Sequence, residues 1–236
     1  MKLTANELDK KVMEYVHRYD VNPVLSHMGL VGEGQILEVK NENPRGTNLY
    51  YQWLACLMRL IKPKQVVELG AAAGISTIMM ATSMSKESKL YSVDNDPDLA
   101  WKWMDREYPQ VVKILGDTRD INIWEEQFNG REIGSGHIEA WPMDLGETDV
   151  WFFDSLHVPE QIHKEMKLYS PFFKKGAILV FDDVHISPSF EEACNEIRDG
   201  KYCKLDWQDI STPCHWSGFS CAIVIGLKNM IGTKYE

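Results

Sequence analysis

Five short apolar runs, each followed at once by a glycine or an aspartate, constrain this chain more than any other feature. They are Gln65–Leu69, Lys89–Val93, Val111–Leu115, Val150–Phe153 and Ala177–Phe181. Runs of this length without polar alternation read as strands buried on both faces. Helical patterns near 75–84, 97–107, 119–128 and 159–169 lie between them. The alternation predicts an α/β fold, a doubly wound parallel sheet with helices on both faces. Upstream, Leu8, Val12, Tyr15 and Val16 are at helical spacing behind Thr4, a candidate N-cap. A second helix is expected over 48–60, with Leu49, Trp53, Leu57 and Leu60 on one face. Downstream, Tyr202–Trp207 and Ser220–Leu227 flank a loop containing Pro213 and Gly218, and are expected to pair as an antiparallel hairpin at the sheet edge. The expected organisation is an N-terminal helical extension over 1–47 and an α/β domain over 48–236.

Composition narrows the class. The chain has 236 residues, 44% of them hydrophobic and 25% charged, enough for one sizeable core. Its formal net charge is -10 and no Lys/Arg run stands out, which argues against nucleic acid and anionic membrane as partners. No stretch of about 18 apolar residues occurs, and Met1–Asp20 lacks an apolar signal core. A cytoplasmic location is expected. Cys56, Cys194, Cys203, Cys214 and Cys221 are odd in number and irregularly spaced, which suits reduced thiols.

The first strand runs into Glu68-Leu69-Gly70-Ala71-Ala72-Ala73-Gly74-Ile75-Ser76-Thr77. Gly70 and Gly74 allow tight backbone angles and close approach of a ligand, and amides at the following helix start can bind its polar groups. The spacing is G-x-x-x-G, not the G-x-G-x-x-G of dinucleotide sites, which disfavours a nicotinamide oxidoreductase. Asp94, followed by Asn95, ends the second strand, where a carboxylate either accepts ribose hydroxyls or shapes a turn before Pro97. Asp117 and Thr118 follow the third strand, to meet a nucleobase edge or to cap the next helix.

Together, Glu68-Leu69-Gly70 through Gly74 and Asp94 resemble motif I and the ribose-binding acid of class I S-adenosylmethionine-dependent methyltransferases. The resemblance covers roughly residues 48 to 227. It implies a Rossmann-like seven-stranded sheet in the order 3-2-1-4-5-7-6 with the last strand antiparallel. It also implies cofactor contacts at Glu68, Gly70, Ala71, Gly74, Ser76, Asp94, Asn95, Asp117, Thr118 and Asp154.

The fourth strand ends in Asp154-Ser155-Leu156-His157 and the fifth in Asp182-Asp183-Val184-His185. Carboxylates gathered at one sheet edge repel unless a cation or a proton intervenes. Asp154, Asp182 and Asp183 are therefore candidate ligands for Mg²⁺, which prefers oxygen and can lower the pKa of an acceptor hydroxyl. The pattern is similar to metal-dependent O-methyltransferases of the catechol type and of the cephalosporin-biosynthesis and macrolide-sugar types. Catechol-type enzymes carry a lysine three residues after the first aspartate. This chain has His157 there, as in the sugar and antibiotic group, a candidate general base whose imidazole titrates near neutrality. His185 is a further candidate, and His163 reads as structural.

The expected activity is methyl transfer from S-adenosylmethionine to a small-molecule hydroxyl, with Asp154 and His157 at the reacting centre. Residues 21–47, rich in glycine and proline, are a candidate lid, and the long connection 129–147 is either functional or a surface insertion. Trp207, Trp216 and Phe219 are candidate acceptor walls. The N-terminal helices either cover the sheet or mediate a homo-oligomer. Rival readings are a metal-independent methyltransferase and a non-catalytic cofactor-binding protein of the same fold.

Overall fold

A computed structural model describes residues 3–16, 48–104, 106–126, 144–210 and 217–227, with backbone alone at 48–50 and 125–126. The expected lid over 21–47, most of the 129–147 connection, Trp216 and Cys214 lie outside the described residues.

The strands are β1 Gln65–Leu69, β2 Lys89–Asp94, β3 Val111–Leu115, β4 Val150–Phe153, β5 Ile178–Asp182, β6 Cys203–Asp209 and β7 Phe219–Leu227. They form one sheet in the order β3-β2-β1-β4-β5-β7-β6, as the family resemblance implies. The first five are mutually parallel, and β7 runs antiparallel to both β5 and β6. The helices are α1 Ala5–Val16, α2 Asn48–Ile61, α3 Ile75–Ser83, α4 Ile123–Glu126, α5 Pro159–Tyr169 and α6 Pro188–Arg198.

Because strand side chains alternate, the central strands feed two separate cores. Val66, Leu90, Val150, Phe152, Ile178 and Val180 pack beneath α1, α2 and α3. Val67, Leu69, Trp151, Phe153, Leu179 and Phe181 pack against α5 and α6. Twelve-residue α1 is too short to hold on its own. Thr4 and Glu7 cap it reciprocally: the Glu7 amide donates to Thr4 Oγ1 at 3.2 Å and the Thr4 amide to Glu7 Oε2 at 2.8 Å. Its buried Leu8, Val12 and Val16 contribute about 2 kcal/mol each. Trp53 Nε1 of α2 donates to Asp9 Oδ1 at 3.0 Å, and Ala5 N to Asp206 Oδ2 at 2.8 Å. The first helix thus covers the sheet.

Two local expectations fail for identifiable reasons. Among the described residues of 97–107 no helix forms. Residues 97–103 are successive turns whose Trp101 and Trp103 amides bond the carbonyls of Ala72 and Ala73 at 2.8 and 3.0 Å, so they serve the glycine turn and not a helical ladder. Within the 119–128 pattern, residues 119–122 are not helical, because Asp117 and Asp120 side chains capture the amides of Arg119 and Asn122 ahead of α4. Conversely, α6 forms where no helix is expected, and its signals are local. Ser187 Oγ accepts from Phe190 N, Pro188 opens the helix, and Phe190, Ala193, Cys194 and Ile197 form its buried stripe.

Cys56, Cys194, Cys203 and Cys221 are buried thiols, not disulfides. Among the described residues no helix is long and apolar enough to cross a membrane.

Candidate active site

Parallel strands deliver their carboxyl ends to one edge, and there the loops converge. The glycine turn is strapped between its neighbours. Gly70 N donates to Val93 O of β2, and Asp154 N donates to Leu69 O, both at 2.9 Å. Gly70 has φ 95°, and a Cβ on it would lie 2.1 Å from Asp154 O and 2.7 Å from Ser155 Cα. Only a residue without a side chain lets the turn and the end of β4 meet so closely. Gly74 stands at the N-cap of α3.

Asp94, 9% exposed, closes the turn from the other side. Its Oδ2 accepts from Ala71 N at 3.0 Å and Ala72 N at 2.7 Å, and its Oδ1 from Asp96 N at 2.9 Å. A carboxylate has about four lone-pair sites, so with three amides bound room remains for a ribose hydroxyl. Asn95 beside it is exposed. Gly70, Asp94 and Asp154 therefore share one rim.

Glu68 is fully buried beneath the turn. It accepts from Ser76 Oγ at 2.5 Å, Thr77 Oγ1 at 2.6 Å and Ser92 Oγ at 2.6 Å. Burial pushes its pKa up, and the three hydroxyls oppose the shift. The structure brings Glu68 and Ser76 together as each other's partner, shaping the turn from below.

After β3, Asp117 is gripped by Arg119, with Nη2 to Oδ2 at 2.6 Å and Nε to Oδ1 at 2.9 Å, which holds its carboxyl below the usual range. Thr118 is buried and turned toward α5.

The acidic end of the rim is held by β4 and β5. His157 Nε2 lies 3.4 Å from Asp154 Oδ1, and its Nδ1 3.4 Å from Asp183 Oδ2. Ser217 Oγ donates to Asp183 Oδ1. The backbone turns left-handed at Asp183, φ 54°, a conformation that aspartate tolerates. Among the described residues, Asp154, His157 and Asp182 each offer a ligand atom, all within 4.8 Å of one another. Buried His157 Nε2 makes no hydrogen bond. This donor set fits a small divalent cation. Of the three aspartates expected as ligands, Asp154 and Asp182 enter this cluster, while Asp183 stands behind the imidazole.

Tyr51 is the residue that sequence reasoning missed. Helix α2 leads into β1, so its N-terminal turn stands at the rim. Burial raises the Tyr51 pKa, and the charges of Asp154, Asp182 and Glu68 raise it further. The available signal was topological: the start of a helix preceding the first strand must lie at the carboxyl edge.

Other candidates sit elsewhere. His185 Nδ1 lies 3.3 Å from Glu191 Oε1 and is half exposed. His163 packs with Tyr202, Lys201 and Glu196 at the surface. Trp207 stacks on Phe181 at 4.8 Å. Phe219 is 2% exposed and packs edge-on against Trp53 in the core, so it is no acceptor wall.

A family model described as a methyltransferase domain matches residues 67–184, half of the chain. Solved structures share the whole fold. A cofactor-bound protein from MTB, Rv0187, aligns with TM-score 0.58 at 15% identity, covering 95% of this chain and 99% of that one. The O-methyltransferase TomG from Streptomyces achromogenes, involved in tomaymycin synthesis and solved with SAM, gives 0.54 at 17% identity, covering 89% and 98%. An O-methyltransferase from Bacillus cereus in complex with SAH gives 0.55 at 13%, covering 92% and 96%. At such identities the likeness is one of fold. No curated protein sequence matches the chain.

Proposed function

We propose that this chain, which belongs to the class I S-adenosylmethionine-dependent methyltransferases, methylates a hydroxyl oxygen of a small molecule with the help of a divalent cation. The observation that carries this reading is the shared rim. A glycine turn, a ribose-ready carboxylate and an Asp-His-Asp cluster stand together at the carboxyl edge of the sheet.

Each part of the rim has a task. The turn Gly70–Gly74 gives the methionine portion a floor without side chains. Asp94 receives the ribose, and the loops after β3 and β4 flank the nucleobase. Asp154 and Asp182, with His157 beside them, would hold the cation, and Asp183 steadies the imidazole through Nδ1. The bound groups supply an electrophilic sulfonium methyl and Lewis acidity at the acceptor oxygen. The protein's own work is alignment and proton removal. His157 Nε2, fixed by Asp183 and facing Asp154, is placed to take the hydroxyl proton where it is not itself a ligand.

One observation favours a second reading. The imidazole lies 3.4 Å from two carboxylates and, protonated, would offset one of their two charges, so a metal-independent transferase has the same geometry. Incubation with S-adenosylmethionine and a panel of hydroxylated acceptors, with and without chelator, separates the two. Turnover that chelator abolishes and Mg²⁺ restores supports the metal reading. Full turnover in chelator supports the second, and no methylation of any oxygen acceptor overturns the proposal.

A further inference from the structure

The mechanism leaves one buried acid unused. Glu165, on α5, is fully buried between the loops that follow β3 and β4. Its Oε1 accepts from three donors: Thr118 Oγ1, Ser155 Oγ at 2.7 Å and Gln161 Nε2 at 2.6 Å. Gln161 Nε2 also donates to Thr118 Oγ1 at 2.8 Å. Tyr169 OH donates to Thr118 O at 2.6 Å and receives Trp124 Nε1 at 3.3 Å. Glu165 Oε2 is buried and has no hydrogen-bond partner. An isolated charge there would be costly, and three donors converge on Oε1 to offset it. Burial raises its pKa, and the hydrogen bonds from Thr118, Ser155 and Gln161 oppose the shift.

The consequence concerns polarity. A hydroxyl has one proton to give. Ser155 and Thr118 both spend theirs on Glu165 Oε1, so each can offer a ligand only acceptor lone pairs. Thr118 already receives Gln161, which leaves half-buried Ser155, against Gly70 at the end of β4, as the more available acceptor.

We propose that Glu165 is a specificity-determining positioning residue, which fixes Ser155 and Thr118 as acceptors and so selects a purine bearing a 6-amino group over one bearing a 6-oxo group. The proposal rests on the reading of the rim as an S-adenosylmethionine site. A donor at purine position 6 completes the arrangement. A 6-oxo group faces lone pairs and is refused, because leaving polar groups unmatched in a buried site costs more than a good pair gains.

The test compares calorimetric affinities for S-adenosylhomocysteine and S-inosylhomocysteine, which differ at position 6 and at N1, where the 6-oxo purine carries a proton. The wild-type protein is expected to prefer the adenosyl compound about tenfold or more. In Glu165→Leu the Ser155 hydroxyl is released to donate, and the preference falls toward unity. Glu165→Gln keeps a carbonyl acceptor and keeps the preference. Ser155→Ala leaves Glu165 bonded to Thr118 and Gln161, and loses the preference with at most a small fall in melting temperature. A residue that merely filled space would weaken both ligands equally, so an unchanged ratio in Glu165→Leu and Ser155→Ala overturns the proposal. Failure of the wild-type protein to bind either compound overturns instead the reading on which it rests.

Discussion

Gly70→Ala is the sharpest mechanical test of the rim. The new Cβ would sit 2.1 Å from Asp154 O, 2.5 Å from Asp154 C and 2.7 Å from Ser155 Cα. Ordinary contact begins at 3.4 Å, so the backbones must part by about 1.3 Å, the difference of 3.4 and 2.1. No flexible side-chain end is present to yield. A left-handed backbone costs a non-glycine residue about 1–2 kcal/mol, and overpacking adds about 1–3 kcal/mol. For a chain of this size each kcal/mol lowers the melting temperature by about 2–4 °C, so a fall of about 4–20 °C is expected. Gly176 is the control. It has φ 91° but nothing within 4 Å of a built Cβ, so Gly176→Ala carries the backbone cost alone, about 2–8 °C. Thermal unfolding and titration with S-adenosylhomocysteine should be measured on both. Gly70→Ala should be the less stable and should lose cofactor affinity, since relief of the clash displaces Asp154. Equal melting temperatures with unchanged affinity would refute the close-approach argument.

Asp94→Ala takes from the Ala72 amide its acceptor and from the Ala71 amide one of two, Val93 O remaining, and removes the ribose partner. Its dissociation constant for S-adenosylhomocysteine should rise about 10- to 100-fold by calorimetry. Asp182→Ala should abolish stimulation of methyl transfer by Mg²⁺ and the heat of Mg²⁺ binding. His157→Ala should lower kcat by about 10²- to 10⁴-fold with smaller change in KM, and Asp183→Asn should act in the same direction through the lost Nδ1 contact. Glu165 governs a pH effect. Its folded pKa lies above its unfolded value, so the folded state binds more protons between the two. That contribution to stability is complete below the unfolded value and is lost as pH rises through the folded one. Glu165→Gln removes it, so unfolding curves should show the wild-type protein losing ground to the variant as pH is raised above about 4.3. Glu68 has the same sign but is common to both proteins and cancels.

The sheet was legible because its central strands are buried on both faces. Val150–Phe153 is wholly buried, as a central parallel strand must be, whereas Val111–Leu115 lies at the sheet edge and is only partly buried; the bounds of both coincide with the sequence reading. Glycine and aspartate at the strand ends located the rim for the same reason, since position along a strand fixes the edge. Side-chain direction was not legible. Nothing in the order of residues says that Asp183 would turn left-handed and face the imidazole, that Asp117 would be taken by Arg119, or that Thr118 would point at Glu165. The contacts of Asp183 and Thr118 are made by tertiary neighbours far apart in sequence, and that of Asp117 by the rotamer of Arg119 two residues on, which residue order alone does not fix. The misread segments share a cause. At 97–103 and 119–122, side-chain and turn hydrogen bonds outcompeted a helical ladder that periodicity alone could not discount.

The account stands or falls on whether the rim formed by Gly70, Asp94 and Asp154 holds a nucleoside cofactor. Isothermal titration of the full chain with S-adenosylhomocysteine, with NAD as the comparison, measures this directly. Saturable binding of S-adenosylhomocysteine that is weakened in Asp94→Ala, with no heat from NAD, is the predicted result. No binding at about millimolar ligand, or preference for NAD, would contradict it.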